Sequence, residues 1–297
     1  MQQPRIGLAG IGRMGSAIGD RILAAGFPLA VYNRTAARVA PLIDAGATHA
    51  RSLGELVSAS DIILTVLTDD AAVDSVYADL LDADVTGRLF IDASTVRAST
   101  IARLADRVRS AGAGLVDAPL AGPPAAARAG QLLVMCGGTE ADVATATPVI
   151  EAFARRIVHV GPVGAGTTMK LVLMAPMGAY FAALAEGLAV GERLGLDRST
   201  MLDVILDSHT APPLLRDRAA VLLGGGAVGF DVAGVRKDLR AIIATGQDAA
   251  VPMSTAAAAL AHFAGAAAHG FGDRDLIFIV DYVRRLAESG DVYLGSS

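Results

Sequence analysis

Near the start of the chain a short apolar run, Arg5–Ala9 (RIGLA), leads directly into Gly10-Ile11-Gly12-Arg13-Met14-Gly15, and a helical pattern over Ser16–Ala25 follows. A G-x-G-x-x-G hexapeptide between a strand and a helix constrains the fold more than any other stretch here. Gly10 permits a tight turn, Gly12 lets the backbone approach a pyrophosphate, and Gly15 lets the helix pack close to the strand. The helix end contributes amide donors and a partial positive charge. The six residues Gly10, Ile11, Gly12, Arg13, Met14 and Gly15 are therefore candidate dinucleotide contacts. A glycine-rich turn without a ligand is the simpler alternative.

The second apolar run, Phe27–Asn33 (FPLAVYN), ends in Asn33-Arg34-Thr35. A site for NAD usually places a carboxylate here to hold the ribose hydroxyls. A carboxylate would repel a 2′-phosphate, whereas Arg34 can pair with one, and Asn33 and Thr35 can hydrogen-bond it. The expected cofactor is NADP, with NAD the lesser choice. The competing reading of Arg34 is a cap on a surface helix.

Further strands are expected at Asp61–Leu67, Leu89–Asp92 and Leu115–Asp117, with helical patterns between them. That alternation predicts an α/β unit with a Rossmann-like, doubly wound parallel sheet. Ligands in such sheets sit beyond the carboxyl ends of the strands, where Leu67-Thr68 and Ser94-Thr95 fall. Helix capping competes as the role of Thr68 and Ser94.

At 297 residues the chain is long for a single core. Beyond Gly161 the pattern becomes helical almost throughout. The expected division is a cofactor domain over residues 1–163 and an all-α domain over 164–297, joined by a long helix that starts just after the glycines at 161–166. A net charge of −5 and the lack of any basic tract argue against a nucleic-acid partner. Cys136 is the sole cysteine, which excludes an internal disulfide and fits a reducing cytoplasm. The histidines show no ligand spacing, and no metal site is expected. Residues 171–191 have the length of a membrane span, but Glu186 interrupts them and no basic flank anchors them. Burial in a large interface, in a homodimer or higher homo-oligomer, is the expected role.

Of the 25 basic residues only Lys170 and Lys237 are lysines. An ammonium can lose its proton when buried, whereas a guanidinium stays charged. Lys170 heads an apolar stripe with Met174, Met177, Phe181 and Leu184. Compositional chance, or a lysine that snorkels to water, would also produce this pattern.

Four stretches in order, GLAGIGRMGSAI, DAPLAGPPAAARAGQL (117–132), GAGTTMKLVLM (164–174) and F-x6-K-D-L (Phe230–Leu239), resemble the β-hydroxyacid dehydrogenase family over nearly the whole chain. The resemblance implies an NAD(P)-dependent dehydrogenase or reductase acting on CH–OH and C=O groups. It implies Lys170 as the catalytic acid/base and Lys237 beside cofactor and substrate. The loop at Ala121, Gly122 and Pro123 and the position of Met174 would hold a small carbonyl or hydroxy substrate. The family loop usually reads D-A-P-V-S-G-G, so Ala121 lacks a hydroxyl and Pro123 an N–H. Met174 stands where the family usually has asparagine, and Pro176 follows in the same helix. These changes predict an apolar pocket. Imine reductases are similar in architecture, but usually lack this lysine. A cofactor-binding protein without turnover is the reading from outside enzymology. His209, in the stretch 207–210, is read as a surface loop residue before a catalytic one.

Overall fold

The computed structural model describes residues 3–225 and 228–289. The chain packs as two compact units, Met1–Val172 and Leu173–Ser297.

The first unit is built on nine strands: β1 (Ile6–Ala9), β2 (Leu29–Tyr32), β3 (Thr48–His49), β4 (Ile62–Thr65), β5 (Leu89–Asp92), β6 (Gly114–Asp117), β7 (Leu120–Ala121), β8 (Leu132–Gly137) and β9 (Ala154–Gly161). They lie in the order β3-β2-β1-β4-β5-β6-β8-β7, with β9 paired to β8. Pairing is parallel from β3 across to β6. It turns antiparallel where β8 meets β6 and β7, and β8–β9 is again parallel. The order reverses direction between β1 and β4, which opens a crevice at their carboxyl ends.

Strands β1, β4 and β5 are buried along their whole length, so they read as continuous apolar runs instead of alternating ones. Successive residues feed two layers. Ile6, Leu8, Leu64, Ile91 and Val116 pack into one, and Ile63, Tyr77, Phe90 and Leu115 into the other. Each fully buried large side chain contributes about 1.5–3 kcal/mol of burial, so the sheet is a firm platform for the loops at its ends.

One long helix, Ala165–Arg193, runs unbroken through Pro176. By length and composition it could cross a membrane, and 39% of its most apolar window is buried inside the protein. Val172, Leu173 and Val190 on it remain exposed.

The second unit is helical: beyond the long helix come Arg198–Asp207, Pro213–Leu222, Val232–Asp248, Ser254–Ala266 and Ile279–Ser289. Asp197 and Asp231 cap two of these through Thr200 N and Gly234 N. The buried Arg218–Asp275 pair, 2.6 Å apart, ties the helix Pro213–Leu222 to the turn at Leu276–Phe278, and the Gly229 amide also donates to Asp275. Of the glycine-rich stretch 224–229, Gly226 and Ala227 lie outside the described residues.

Candidate active site

The loop after β1 assigns a separate task to each glycine. Gly10 has φ 97°, a left-handed conformation that glycine adopts without strain. A Cβ on Gly15 would fall on the carbonyl oxygen of Gly10, so the first helix, Arg13–Ala24, sits against the loop at a spacing only glycine allows. A Cβ on Gly12 would meet nothing within 4 Å. That open space beside the backbone fits a pyrophosphate. The helix also has no side-chain N-cap hydrogen bond, and its start carries the partial positive charge that suits a phosphate.

At the end of β2 the Asn33 carboxamide accepts from Ile11 N (2.9 Å) and donates to Thr35 O (3.0 Å). Asn33 is thus a brace that locks the glycine loop to the end of β2. Arg34 is exposed, and among the described residues it makes no ion pair. It does not cap the short helix at Ala36–Val39, whose N-cap position is Thr35 without a side-chain bond.

Past β4 and β5 the Leu67 amide donates to Ser94 Oγ (3.0 Å), and Ser94 Oγ donates in turn to Asp92 Oδ2 (3.2 Å). Asp92 also accepts from Thr65 Oγ1 (2.6 Å) and Ser94 N (3.0 Å). Tyr77 OH lies 3.0 Å from Thr65 Oγ1. Burial pushes the Asp92 carboxyl above its ordinary value, against these hydrogen bonds. The two strand-end loops are therefore bolted together through one buried acid. Helix capping at these places falls to other residues than Thr68 and Ser94. Asp69 caps the helix Asp70–Leu81, and Arg97 occupies the cap of Ala98–Ser110. Thr68 is exposed and Thr95 half-buried at the rim of this crevice.

The loop after β6 meets the long helix. Leu120 and Ala121 form β7 against β8. Gly122 then turns with φ 136°, and Pro123 leads the short helix Pro124–Arg128. A Cβ on Gly122 would sit 2.7 Å from Leu132 Cδ2. Lys170 is buried, 9% exposed, and its Nζ donates to Leu120 O at 2.7 Å. The structure thus brings the rare lysine onto the loop that carries Ala121, Gly122 and Pro123. Asp117, fully buried at the end of β6, accepts from Gly164 N (2.7 Å) and Thr167 N (2.6 Å) in and before the first turn of that helix. Burial raises its carboxyl to about 6. Sequence reasoning passed over Asp117 and Asp92. Each shows as an acid closing an otherwise apolar strand, and Asp117 also opens the D-A-P motif of the family loop.

Residues 5–161 match the family model described as the NAD binding domain of 6-phosphogluconate dehydrogenase, and residues 164–283 the one described as NAD-binding of NADP-dependent 3-hydroxyisobutyrate dehydrogenase. The chain belongs to the β-hydroxyacid dehydrogenase family. This is a family of dehydrogenases and reductases that act on hydroxyl and carbonyl groups. The chain is 30% identical to glyoxylate/succinic semialdehyde reductase 1 of Arabidopsis thaliana, over 94% of its own length and 98% of that protein. It is 31% identical to 2-(hydroxymethyl)glutarate dehydrogenase of Eubacterium barkeri over 93% of each. Among solved structures, Mycobacterium tuberculosis 3-hydroxyisobutyrate dehydrogenase with L-serine superposes with a TM-score of 0.85 at 26% identity, covering 95% of this chain and all of that one.

In the second unit, Met174 is buried. Lys237 lies on the helix Val232–Asp248 with its Nζ 2.9 Å from Asp238 Oδ1, and Asp238 is itself buried. His209 is exposed in the turn after the helix Arg198–Asp207.

Proposed function

We propose that this β-hydroxyacid dehydrogenase family member is an NADP-dependent reductase, reversible as a dehydrogenase. Its substrate is a small carbonyl compound with more apolar surface than a short hydroxy acid. The observation that carries the reading is Lys170: a buried ammonium at the loop expected to hold substrate, 2.7 Å from the Leu120 carbonyl. Bound at the glycine loop, the reduced cofactor, NADPH, would supply the hydride to the carbonyl carbon, and the oxidised NADP+ would accept one from the alcohol carbon. The residues of the chain do the rest. Gly10, Gly12 and Gly15 admit the pyrophosphate, Arg34 pairs with the 2′-phosphate, and the clamp through Asp92 holds the strand-end loops still. Lys170 Nζ gives its proton to the carbonyl oxygen during reduction and recovers one during oxidation. The resemblance assigns Lys237 a positioning role toward cofactor or substrate. The relatives named for glyoxylate, succinic semialdehyde and 2-(hydroxymethyl)glutarate indicate a substrate that pairs a carbonyl or hydroxyl with a carboxylate. Ala121, Pro123 and Met174 reduce the donors available to such a carboxylate and support a more apolar one.

A panel of glyoxylate, succinic semialdehyde, longer aldehydes and a cyclic imine, run with NADPH and NADH, tests the reading. Aldehyde-dependent NADPH oxidation is expected, and Lys170→Ala should bind NADPH but turn over about 10²–10⁴-fold more slowly. A folded Lys170→Ala protein with full turnover would refute the assignment of Lys170. Oxidation by the imine alone would move the activity to C=N reduction, and binding without any oxidation would point to a silent cofactor-binding protein. The exposed Val172, Leu173 and Val190 support self-association through the long helix. Light scattering that gives a stable monomer would exclude it.

A further inference from the structure

The last register row of the sheet runs Ala9, Thr65, Asp92, Asp117, Gly137 and Gly161 across β1, β4, β5, β6, β8 and β9. Two buried carboxylates stand side by side in it. Asp92 is spent on the strand-end loops, as described above. Asp117 faces a different element. Its two oxygens take two backbone amides at the start of the long helix, Gly164 N just before it and Thr167 N in its first turn. An N-cap residue does the same from within its own chain segment. Here the cap comes from a neighbouring strand.

The fit around this cap is tight. A Cβ on Gly166 would lie 2.5 Å from both Asp117 O and Met135 O, and one on Gly137 would land on Asp117 Oδ1. The first turn is therefore pressed onto β6 and β8 with no room for a side chain. Three residues beyond Asp117, the Leu120 carbonyl holds Lys170 Nζ, and Lys170 in turn lies three residues beyond Thr167. The segments 117–120 and 167–170 are thus pinned at both ends, by a carboxylate to an amide and by a carbonyl to an ammonium.

We propose that Asp117 is the positioning residue for Lys170: by seating the first turn of the long helix on β6, it sets where the lysine Nζ stands. The proposal rests on the reading of Lys170 as the proton-transfer group. Asp117 itself acts on no substrate atom, since both its oxygens are engaged. A shift of about 1 Å in a catalytic group can cost about 100-fold in rate, so loosening the cap should lower turnover without weakening cofactor binding. Titratable groups near the cap include Asp92, opposite Asp117 in the row, Cys136 on β8, Lys170 on the helix and His159 on β9, whose Nε2 lies 2.9 Å from Gly138 O and Gly161 O. The Cys136 thiol, pushed up to about 12 by burial and then by the Asp117 charge, stays neutral at working pH.

The chain offers a clean test, because Lys170 and Lys237 are its only lysines. The full-length protein is labelled with an amine-selective acylating reagent, and each lysine is followed by peptide mass spectrometry. In Asp117→Asn, labelling of Lys170 should accelerate at least about 5-fold while Lys237 stays unchanged. With NADPH and succinic semialdehyde, kcat should fall about 100-fold and the KM for NADPH stay within about 2-fold. Asp117→Glu, which keeps the charge, should recover part of the loss. If Asp117→Asn does not fold, the wild-type protein still reports, because its Lys170-to-Lys237 labelling ratio should rise as pH falls through about 6, where Asp117 takes up a proton. An unchanged ratio in every arm overturns the proposal, as does parallel acceleration of both lysines, which signals general loosening. Faster Lys170 labelling together with an active Lys170→Ala enzyme would leave the positioning intact and remove the catalytic reading instead.

Discussion

An ionised carboxylate in the place of Asp117 costs stability, and the cost can be worked out. Burial lifts its carboxyl from 3.8 to about 6, and the amides of Thr167 and Gly164 recover only part of the penalty. Because the folded-state value lies above the unfolded one, the folded protein holds the extra proton between these two pH values. Stability from this group is therefore greatest below the unfolded value, falls as pH rises towards 6, and is level above it. The full shift amounts to about 3 kcal/mol. Between pH 7.5 and 4.5 the wild-type protein should gain about 2 kcal/mol from Asp117 alone. Asp117→Asn cannot titrate and forfeits this gain. An amide also has one acceptor oxygen, so it leaves one of the two backbone amides unpaired, at about 1–3 kcal/mol whatever the pH. Native-state hydrogen exchange of peptides from β4, β5 and β6 at the two pH values measures the difference within the first unit. The gap between wild type and variant should widen by about 2 kcal/mol at the lower pH. A pH-independent gap would show that Asp117 does not titrate in this window, and the account of its burial would fail.

Other perturbations separate the roles of neighbouring groups. Gly12→Ala has open space and an ordinary φ of −91°, so melting temperature should hold while NADPH affinity drops at least about 10-fold; Gly15→Ala, whose methyl meets the Gly10 carbonyl, should lose the fold of the loop as well. Arg34→Ala should lower the NADPH-over-NADH preference in kcat/KM by about 10- to 100-fold, the worth of a charge-assisted contact, and an unchanged ratio would remove Arg34 from the cofactor site. Met174→Asn should lower the KM for short hydroxy-carboxylates while costing about 1–3 kcal/mol in urea denaturation, because it buries an amide where a thioether now packs.

The elements read most easily from the sequence were those buried on both faces. Leu89–Asp92 is a continuous apolar run with one possible length, and β1 and β4 differ from expectation only by fraying at their ends. The strands beyond β6 were harder. Leu120–Ala121 spans two residues, too short for any period, and Leu132–Gly137 is an apolar run that periodicity does not separate from a buried helix. Ala154–Gly161 carries Arg155, Arg156 and His159 and stays largely uncovered, so its alternation is weak. The reversal to antiparallel pairing at β8 depends on those strands and was hidden with them. Among site residues, the glycine loop was legible because each position has a local steric reason. Asp92 and Asp117 were not, because their partners lie 2–27 and 47–50 residues away in sequence. Only the register of the sheet brings them into one row.

The way Lys170 is held explains how this chain can differ from its family's usual pattern without losing the chemistry proposed for it. The groups seen to seat the lysine here are main chain and one acid: the Leu120 carbonyl, the Gly164 and Thr167 amides, and Asp117. None of these depends on the side chain at 121 or on an N–H at 123. Ala121 can lack the usual hydroxyl because β7 pairs with β8 through backbone bonds that any residue makes. Pro123 can lack an N–H because it stands at the cap of a short helix, where a proline φ of −77° fits and no donor is required. The positions that depart from the family's usual pattern can follow the substrate, and those that seat the proposed proton-transfer group keep it. On the proposed function, recognition can therefore vary at 121 and 123 while the seat of Lys170 stays fixed by main chain and Asp117.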